Sequence, residues 1–237
     1  MTGIVVPHPW PRDEHEAAAI QERLRPLVDR DGPGPQRPRL VAGLDVAYGG
    51  DGEDDGADGA CRVAAAVVVL DAESLTPVEE ATAAGDAAFP YIPGLFAFRE
   101  LPVLVEALGR LRNIPDLLLC DGQGLAHPRR FGLACHLGVI TGIPSAGVAK
   151  TPFTGSYDAR ALGPQRGDGV PLVDAGETVG RVLRTQRGVK PVYVSVGHAI
   201  DLDTACRHVL ALAPSYRLPE TTRLADRLSR DALRAHG

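Results

Sequence analysis

The spacing of apolar residues changes period several times along the chain. Ile20, Leu24, Leu27 and Val28 recur at helical spacing behind Asp13, a good cap, and predict an amphipathic helix over 14–29. The breaker cluster DGPGPQRP (31–38) ends it. The stretches RLVAGLDVAY (39–48) and RVAAAVVVLD (62–71) predict two strands, with a weaker third at 77–85. Their short connections favour an antiparallel meander. A helix is expected to start near Gly94 and run to about 112, with Pro102 kinking or restarting it. DLLLC (116–120) reads as a short central strand, followed by the tight turn DGQG. A helix over 128–142 and a strand at SAGVA (145–149) come next, and then a Gly/Pro-rich stretch, 151–176, without clear pattern. A strand pair (177–185 and 191–196), a helix at 203–213 capped by Asp201 or Asp203, and a last basic helix at 219–235 complete the chain. The order is that of an α/β fold with a central mixed β-sheet flanked by helices.

Composition narrows the class. With 237 residues, 44% hydrophobic and 23% charged, the chain is expected to form a single domain over 1–237, in which 1–38 are an N-terminal extension and helix. No apolar run reaches the ~18 residues of a membrane span. The N-terminus lacks a basic region followed by an apolar one, so a cytoplasmic protein is expected. A monomer is expected. The net charge is −5, and DGEDDGAD (51–58) alone holds five acids. Without that stretch the chain is neutral, so its acidity does not exclude a nucleic-acid partner. The segment 51–60 is read as a flexible acidic insert. Cys61, Cys120, Cys135 and Cys206 form no CxxC and read as buried thiols. Basic residues are almost all Arg; the two lysines are Lys150 and Lys190.

Three acids stand in unusual places. Asp45 interrupts an apolar strand, Glu100 follows the PYIPG turn on a helix, and Asp121 ends the DLLLC strand. Carboxylates in such settings are costly unless paired or bound to a cation, and hard cations such as Mg²⁺ or Mn²⁺ prefer oxygen ligands. The alternative is Asp45 paired with an Arg and Asp121 as a turn residue, and Asp121 taken singly reads equally that way. Lys150 ends the SAGVAK strand, where it would neutralise a phosphoryl oxygen or orient water. His198 follows VYVSVG and reads as a general acid, a phosphate contact or a surface histidine. HPRR (127–130), with His127 and Arg129, reads as a helix start suited to a phosphate backbone or as a solvated charge cluster. Pro90, Tyr91, Ile92 and Pro93 form a rigid apolar turn, either a wedge for a base stack or a staple before the helix. Gly94 and Gly122 allow close approach of a ligand to the backbone.

The stretches VAGLDVAY, FPYIPGLFAFRELP, PDLLLCDGQGLAHPRRFGLACHLG, IPSAGVAK and VSVGH, over roughly 39–200, resemble endonuclease V, the deoxyinosine-specific nuclease family with a ribonuclease H-like fold. The resemblance implies that fold. It implies Asp45, Glu100 and Asp121 as ligands of Mg²⁺, with Mn²⁺ able to substitute, and Lys150 and His198 as further catalytic residues. It implies Pro90–Pro93 as a strand-separating wedge and Gly94, Phe96 and Gly122 as part of a pocket for the extruded base. The implied reaction is hydrolysis of the second phosphodiester 3′ to deoxyinosine in DNA, leaving 3′-hydroxyl and 5′-phosphate ends and initiating repair. Inosine-containing RNA, or binding of nucleic acid without catalysis, are the alternatives. Phe96 stands where the family often has Leu, Cys135 where Ser is frequent, and Val196 where Pro often precedes Gly-His; the acidic insert is long. The three acids, the Lys and the His are all present, so an active enzyme is expected.

Overall fold

The computed structural model describes residue 4, residues 6–49 and residues 61–236; the predicted acidic insert lies outside them. One eight-stranded mixed sheet carries the fold. Its strands are β1 (Leu40–Tyr48), β2 (Cys61–Asp71), β3 (Pro77–Ala87), β4 (Leu117–Cys120), β5 (Ser145–Ala149), β6 (Gly169–Asp174), β7 (Glu177–Leu183) and β8 (Val192–His198). They are ordered β3-β2-β1-β4-β5-β8-β7-β6. β1, β4 and β5 run parallel, and every other pairing is antiparallel. The meander of the first three strands is as expected. The helices are α1 (Glu14–Leu24), α2 (Ala97–Gly109), α3 (Leu133–Thr141), α4 (Leu202–Ala211) and α5 (Glu220–Ala235).

Alternation along β1 and β2 sets the two faces. Leu40, Ala42 and Leu44 pack with Val63, Ala65, Val67 and Val69 against Leu101, Leu104 and Leu108 of α2 and Leu137 of α3. Val68 and Leu70 point the other way and meet Ala225 of α5. Gly43 lies on the α5 side as well. A Cβ built there would fall 2.1 Å from the Thr221 carbonyl carbon, so this glycine lets α5 lie directly on the strand backbone. All four cysteines are buried and free.

Several predicted elements need correction. The first helix stops at Leu24 and tightens into a 3₁₀ turn, Arg25–Leu27, around Pro26. Pro102 does not restart α2, which runs through it as one helix. It costs one backbone bond, while Leu101, Leu104 and Leu108 hold both halves of the 13-residue helix to the core. HPRR does not start a helix. Arg130 has φ +55°, incompatible with a helical turn, and α3 begins at Leu133. The stretch 151–176 contains a strand, β6, paired with β7 through a tight turn at Ala175 and Gly176, both at positive φ. Asp201, not Asp203, caps α4, accepting from the Thr204 N–H.

Candidate active site

The sheet register brings two acids together. Leu44 of β1 lies opposite Cys120 of β4, so the next residues, Asp45 and Asp121, stand side by side, and the Asp121 N–H donates to the Leu44 carbonyl at 3.1 Å. This is the carboxyl end of the parallel strands, where α/β sheets gather ligands. Lys150, immediately after β5, reaches back to donate to Asp121 Oδ2 at 2.5 Å. Glu100 arrives from α2 and accepts from the Tyr48 hydroxyl at 2.9 Å. The last helix supplies residues that no motif announced. Ser229 donates to Asp45 Oδ2 at 2.6 Å, and Asp226 lies with its Oδ1 3.9 Å from Lys150 Nζ. Asp45, Tyr48, Glu100, Asp121, Lys150, Asp226 and Arg230 all line one cavity.

The electrostatics follow from burial and crowding of like charge. Burial, with Asp121 and Asp226 adding to it, pushes the Asp45 carboxyl up to about 6 against the Ser229 hydrogen bond. Burial, with Asp45 and Asp121 beside it, pushes Glu100 up to about 8. Burial works against the Lys150 ammonium, but Asp121, Asp45 and Asp226 outweigh it and raise its pKa. Among the described residues, no three acid, His or Cys side chains converge closely enough to hold an ion as they stand. Ser229, Tyr48 and Lys150 each hold one oxygen of Asp45, Glu100 and Asp121 respectively. In chemistry the donor set fits a hard divalent cation. It is all oxygen, it is crowded with acids of one sign, and protein donors alone leave two of them displaced upward.

A second cavity, of about 280 Å³, adjoins the first and shares Glu100 and Asp121 with it. Gly94, Phe96 and Gly122 all line it, as do Gln21, His127, Leu133 and Phe153. Its size lies just below the ~300–1,000 Å³ usual for small-molecule sites and suits one nucleobase. Gly94 (φ +83°) turns the chain into α2, and its carbonyl accepts from both His127 Nε2 at 2.9 Å and Gln21 Nε2 at 3.0 Å. Burial first, then Arg129 and Arg130, lower the His127 pKa to about 4 despite that hydrogen bond. The ring is therefore neutral, with its proton on Nε2, while Nδ1 accepts from the Arg129 N–H at 3.1 Å. At the mouth Tyr91 is 38% exposed and meets Phe96 edge-on at 4.4 Å, with Pro90 and Pro93 exposed beside it and Ile92 half-buried.

The side chains of HPRR, expected at a phosphate backbone, are engaged within the fold. His127 is buried in the cavity wall, and Arg129 donates to the Gln21 side-chain oxygen at 3.4 Å. Arg130 pairs with Asp174 at 2.7 Å and Glu177 at 2.8 Å, locking the turn to the β6–β7 hairpin. His198 is not brought to the acids. It pairs with Ser145, the first residue of β5, whereas Lys150 follows the last. Five residues at ~3.3 Å each put it roughly 16 Å down the sheet. There its Nδ1 accepts from the Asp29 N–H at 3.1 Å and docks the loop before β1. The departures at 135 and 196 touch each other: the buried Cys135 thiol lies 3.7 Å from the Val196 carbonyl, which also accepts from the Leu125 N–H.

The comparisons with known proteins fall on the whole of this architecture. The Endonuclease V family model matches residues 22–227. A relative from Streptomyces avermitilis, described as Endonuclease V, is 56% identical over 235 residues, covering 99% of this chain and 98% of that protein. A crystal structure of Endonuclease V from the same organism superposes with a TM-score of 0.88 at 55% identity, covering 99% of both chains. Human ENDOV gives 0.81 at 36% identity, covering 93% of this chain and 98% of that one. Endonuclease V from Ciona intestinalis, in complex with a 24mer DNA containing an inosine followed by a ribo-adenosine, gives 0.79 at 26% identity, covering 95% of this chain and all of that one. With a ribonuclease H-like α/β fold and relatives of this identity along its full length, the chain belongs to the endonuclease V family of nucleases.

Proposed function

We propose that the protein recognises deoxyinosine in DNA and hydrolyses the second phosphodiester on its 3′ side with a divalent metal, leaving 3′-hydroxyl and 5′-phosphate ends for repair. The observation that carries this reading is the wall common to the two cavities. A base held against Gly94, Phe96 and Gly122 lies next to Glu100 and Asp121, so a lesion in one cavity brings its own strand across the acids of the other. The Ciona relative in complex with inosine-containing DNA supports the same substrate class.

In this mechanism Asp45, Asp121 and Asp226, with Glu100, would hold Mg²⁺ or Mn²⁺. When bound, such an ion polarises the scissile phosphate and lowers the pKa of water. Ser229 and Tyr48 fix the orientations of Asp45 and Glu100. Lys150 carries its positive charge to the phosphate oxygens as charge builds there. The His127 and Gln21 hydrogen bonds hold the Gly94 carbonyl in place and keep the pocket backbone rigid before the base arrives. Tyr91, between exposed prolines, enters the gap left in the duplex.

The test is an end-labelled duplex carrying one deoxyinosine, incubated with protein in Mg²⁺ and in EDTA. A cut at the second 3′ bond in Mg²⁺ alone is expected, and no cut at that bond would sink the reading. A matched inosine RNA belongs beside it, because the nucleotide after the inosine in the Ciona complex is a ribonucleotide. Cleavage of the RNA alone would move the substrate to RNA. Tyr91→Ala should lower cleavage of the duplex roughly tenfold or more, given ~1–3 kcal/mol for one aromatic stacking contact, and affect a single strand much less. Equal losses on both substrates would argue against a wedge.

A further inference from the structure

Two protein cations, not one, face the acids. α5 carries Asp226 and Arg230 one turn apart, and both line the acidic cavity. Arg230 Nη2 donates to Asp226 Oδ1 at 2.8 Å, the same oxygen that lies 3.9 Å from Lys150 Nζ. The other arginines of α5 pair away from the cavity: Arg223 with Glu220, Arg227 and Arg234 with Asp231. The Arg230 side chain is 64% exposed, and an exposed i,i+4 pair is weak and easily exchanged. Its guanidinium keeps its charge at any working pH and matches the fork of phosphate oxygens.

Resting on the functional reading above, we propose that Arg230 is a switching phosphate clamp: it neutralises Asp226 while no divalent cation is bound, and passes to a backbone phosphate of the substrate beside the scissile bond once a cation takes that carboxylate. The exchange leaves neither the carboxylate nor the guanidinium without an opposite charge. The cation replaces the guanidinium on Asp226, and the released guanidinium meets the phosphate that the cation attracts.

The experiment compares wild type with Arg230→Gln and Arg230→Lys, and uses Arg227→Gln, off the cavity, as control. Mn²⁺ binding to DNA-free protein is measured by calorimetry. Binding to inosine DNA is measured against salt, once in Ca²⁺ and once in EDTA. Arg230→Gln is expected to bind Mn²⁺ about twofold more tightly, because the competing cation is gone. In Ca²⁺ its salt slope should fall by about one relative to wild type, the loss of one phosphate contact, and in EDTA it should not change. Arg230→Lys should restore most of the slope, and Arg227→Gln should match wild type in both. Unchanged Mn²⁺ affinity overturns the proposal. So does an equal fall of slope in Ca²⁺ and EDTA, which would make Arg230 a permanent phosphate contact. Wild-type protein that binds inosine DNA but no Mn²⁺ overturns the switch together with the metal reading; wild type that binds Mn²⁺ but no inosine DNA overturns it through the substrate instead.

Discussion

Asp121→Ala is expected to lower cleavage of deoxyinosine DNA on the order of 10³-fold while leaving the protein folded. The residue has three connections in the structure. Its side chain bonds Lys150, it lines both cavities, and its backbone N–H extends the β1–β4 ladder. Only the first two are lost in the variant. The backbone bond to Leu44 remains, and so does the continuously buried strand Leu117–Cys120 beneath it. The thermal midpoint should hold or rise slightly, since Asp45 and Glu100 each lose a like charge that now raises their pKa values. A cleavage assay and a thermal melt on the same preparation check this. Near-wild-type cleavage would remove Asp121 from the reaction, and a collapsed melt would make it structural.

Gly147→Ala is expected to be strongly damaging, although it adds only one methyl group near the site. A Cβ at this position would lie 2.5 Å from the Gly122 carbonyl oxygen, 2.7 Å from the Gly124 nitrogen and 2.8 Å from the Gln123 carbonyl carbon. All three are backbone atoms of the loop that follows Asp121, so no side chain can swing aside. The loop cannot retreat either. The Gly124 N–H donates to Ser195 Oγ at 2.8 Å, its carbonyl accepts from the Gly132 N–H at 3.0 Å, and a Cβ on Gly124 itself would meet the Val196 carbonyl oxygen at 2.0 Å. Overpacking of this kind costs about 3 kcal/mol, at the upper end of its usual range. At about 2–4 °C per kcal/mol in a chain of this size, the melt should fall by roughly 6–12 °C. Displacing Asp121 by about 1 Å would also lower cleavage of the folded fraction by up to ~10²-fold. An unchanged melting temperature would show that the loop has slack the packing does not suggest.

Much of the sheet was legible because its central strands are bounded apolar runs. β1, β2, β4 and β5 fall within one or two residues of their predicted positions. β6 escaped because GVPLVD is an edge strand with a proline in it, and only Val170 and Leu172 mark its buried side. The three acids stood out as polar interruptions of apolar patterns, and the register places Asp45 beside Asp121. His198 lies away from the acids for a reason visible in the sheet. The carboxyl end of a strand marks a site only among parallel strands, and β8 runs antiparallel to β5, so its end lies at the other side of the sheet. Asp226, Ser229 and Arg230 were invisible for another reason. On an amphipathic helix whose outer face is rich in Arg–Asp pairs, a residue that lines the acidic cavity has the same local pattern as one that faces water.

Glu100 and Asp121 belong to both cavities, so in the proposed mechanism reading and cutting are not separable modules. Retargeting the protein to a bulkier or differently substituted base is therefore an exercise in choosing walls. Enlarging the pocket at Glu100 or Asp121 would disturb the chemistry with the fit. Gln21, Phe96, Leu133 and Phe153 line the pocket without lining the acidic cavity. Those four positions are where selectivity can be rewritten while the hydrolytic machinery is left alone.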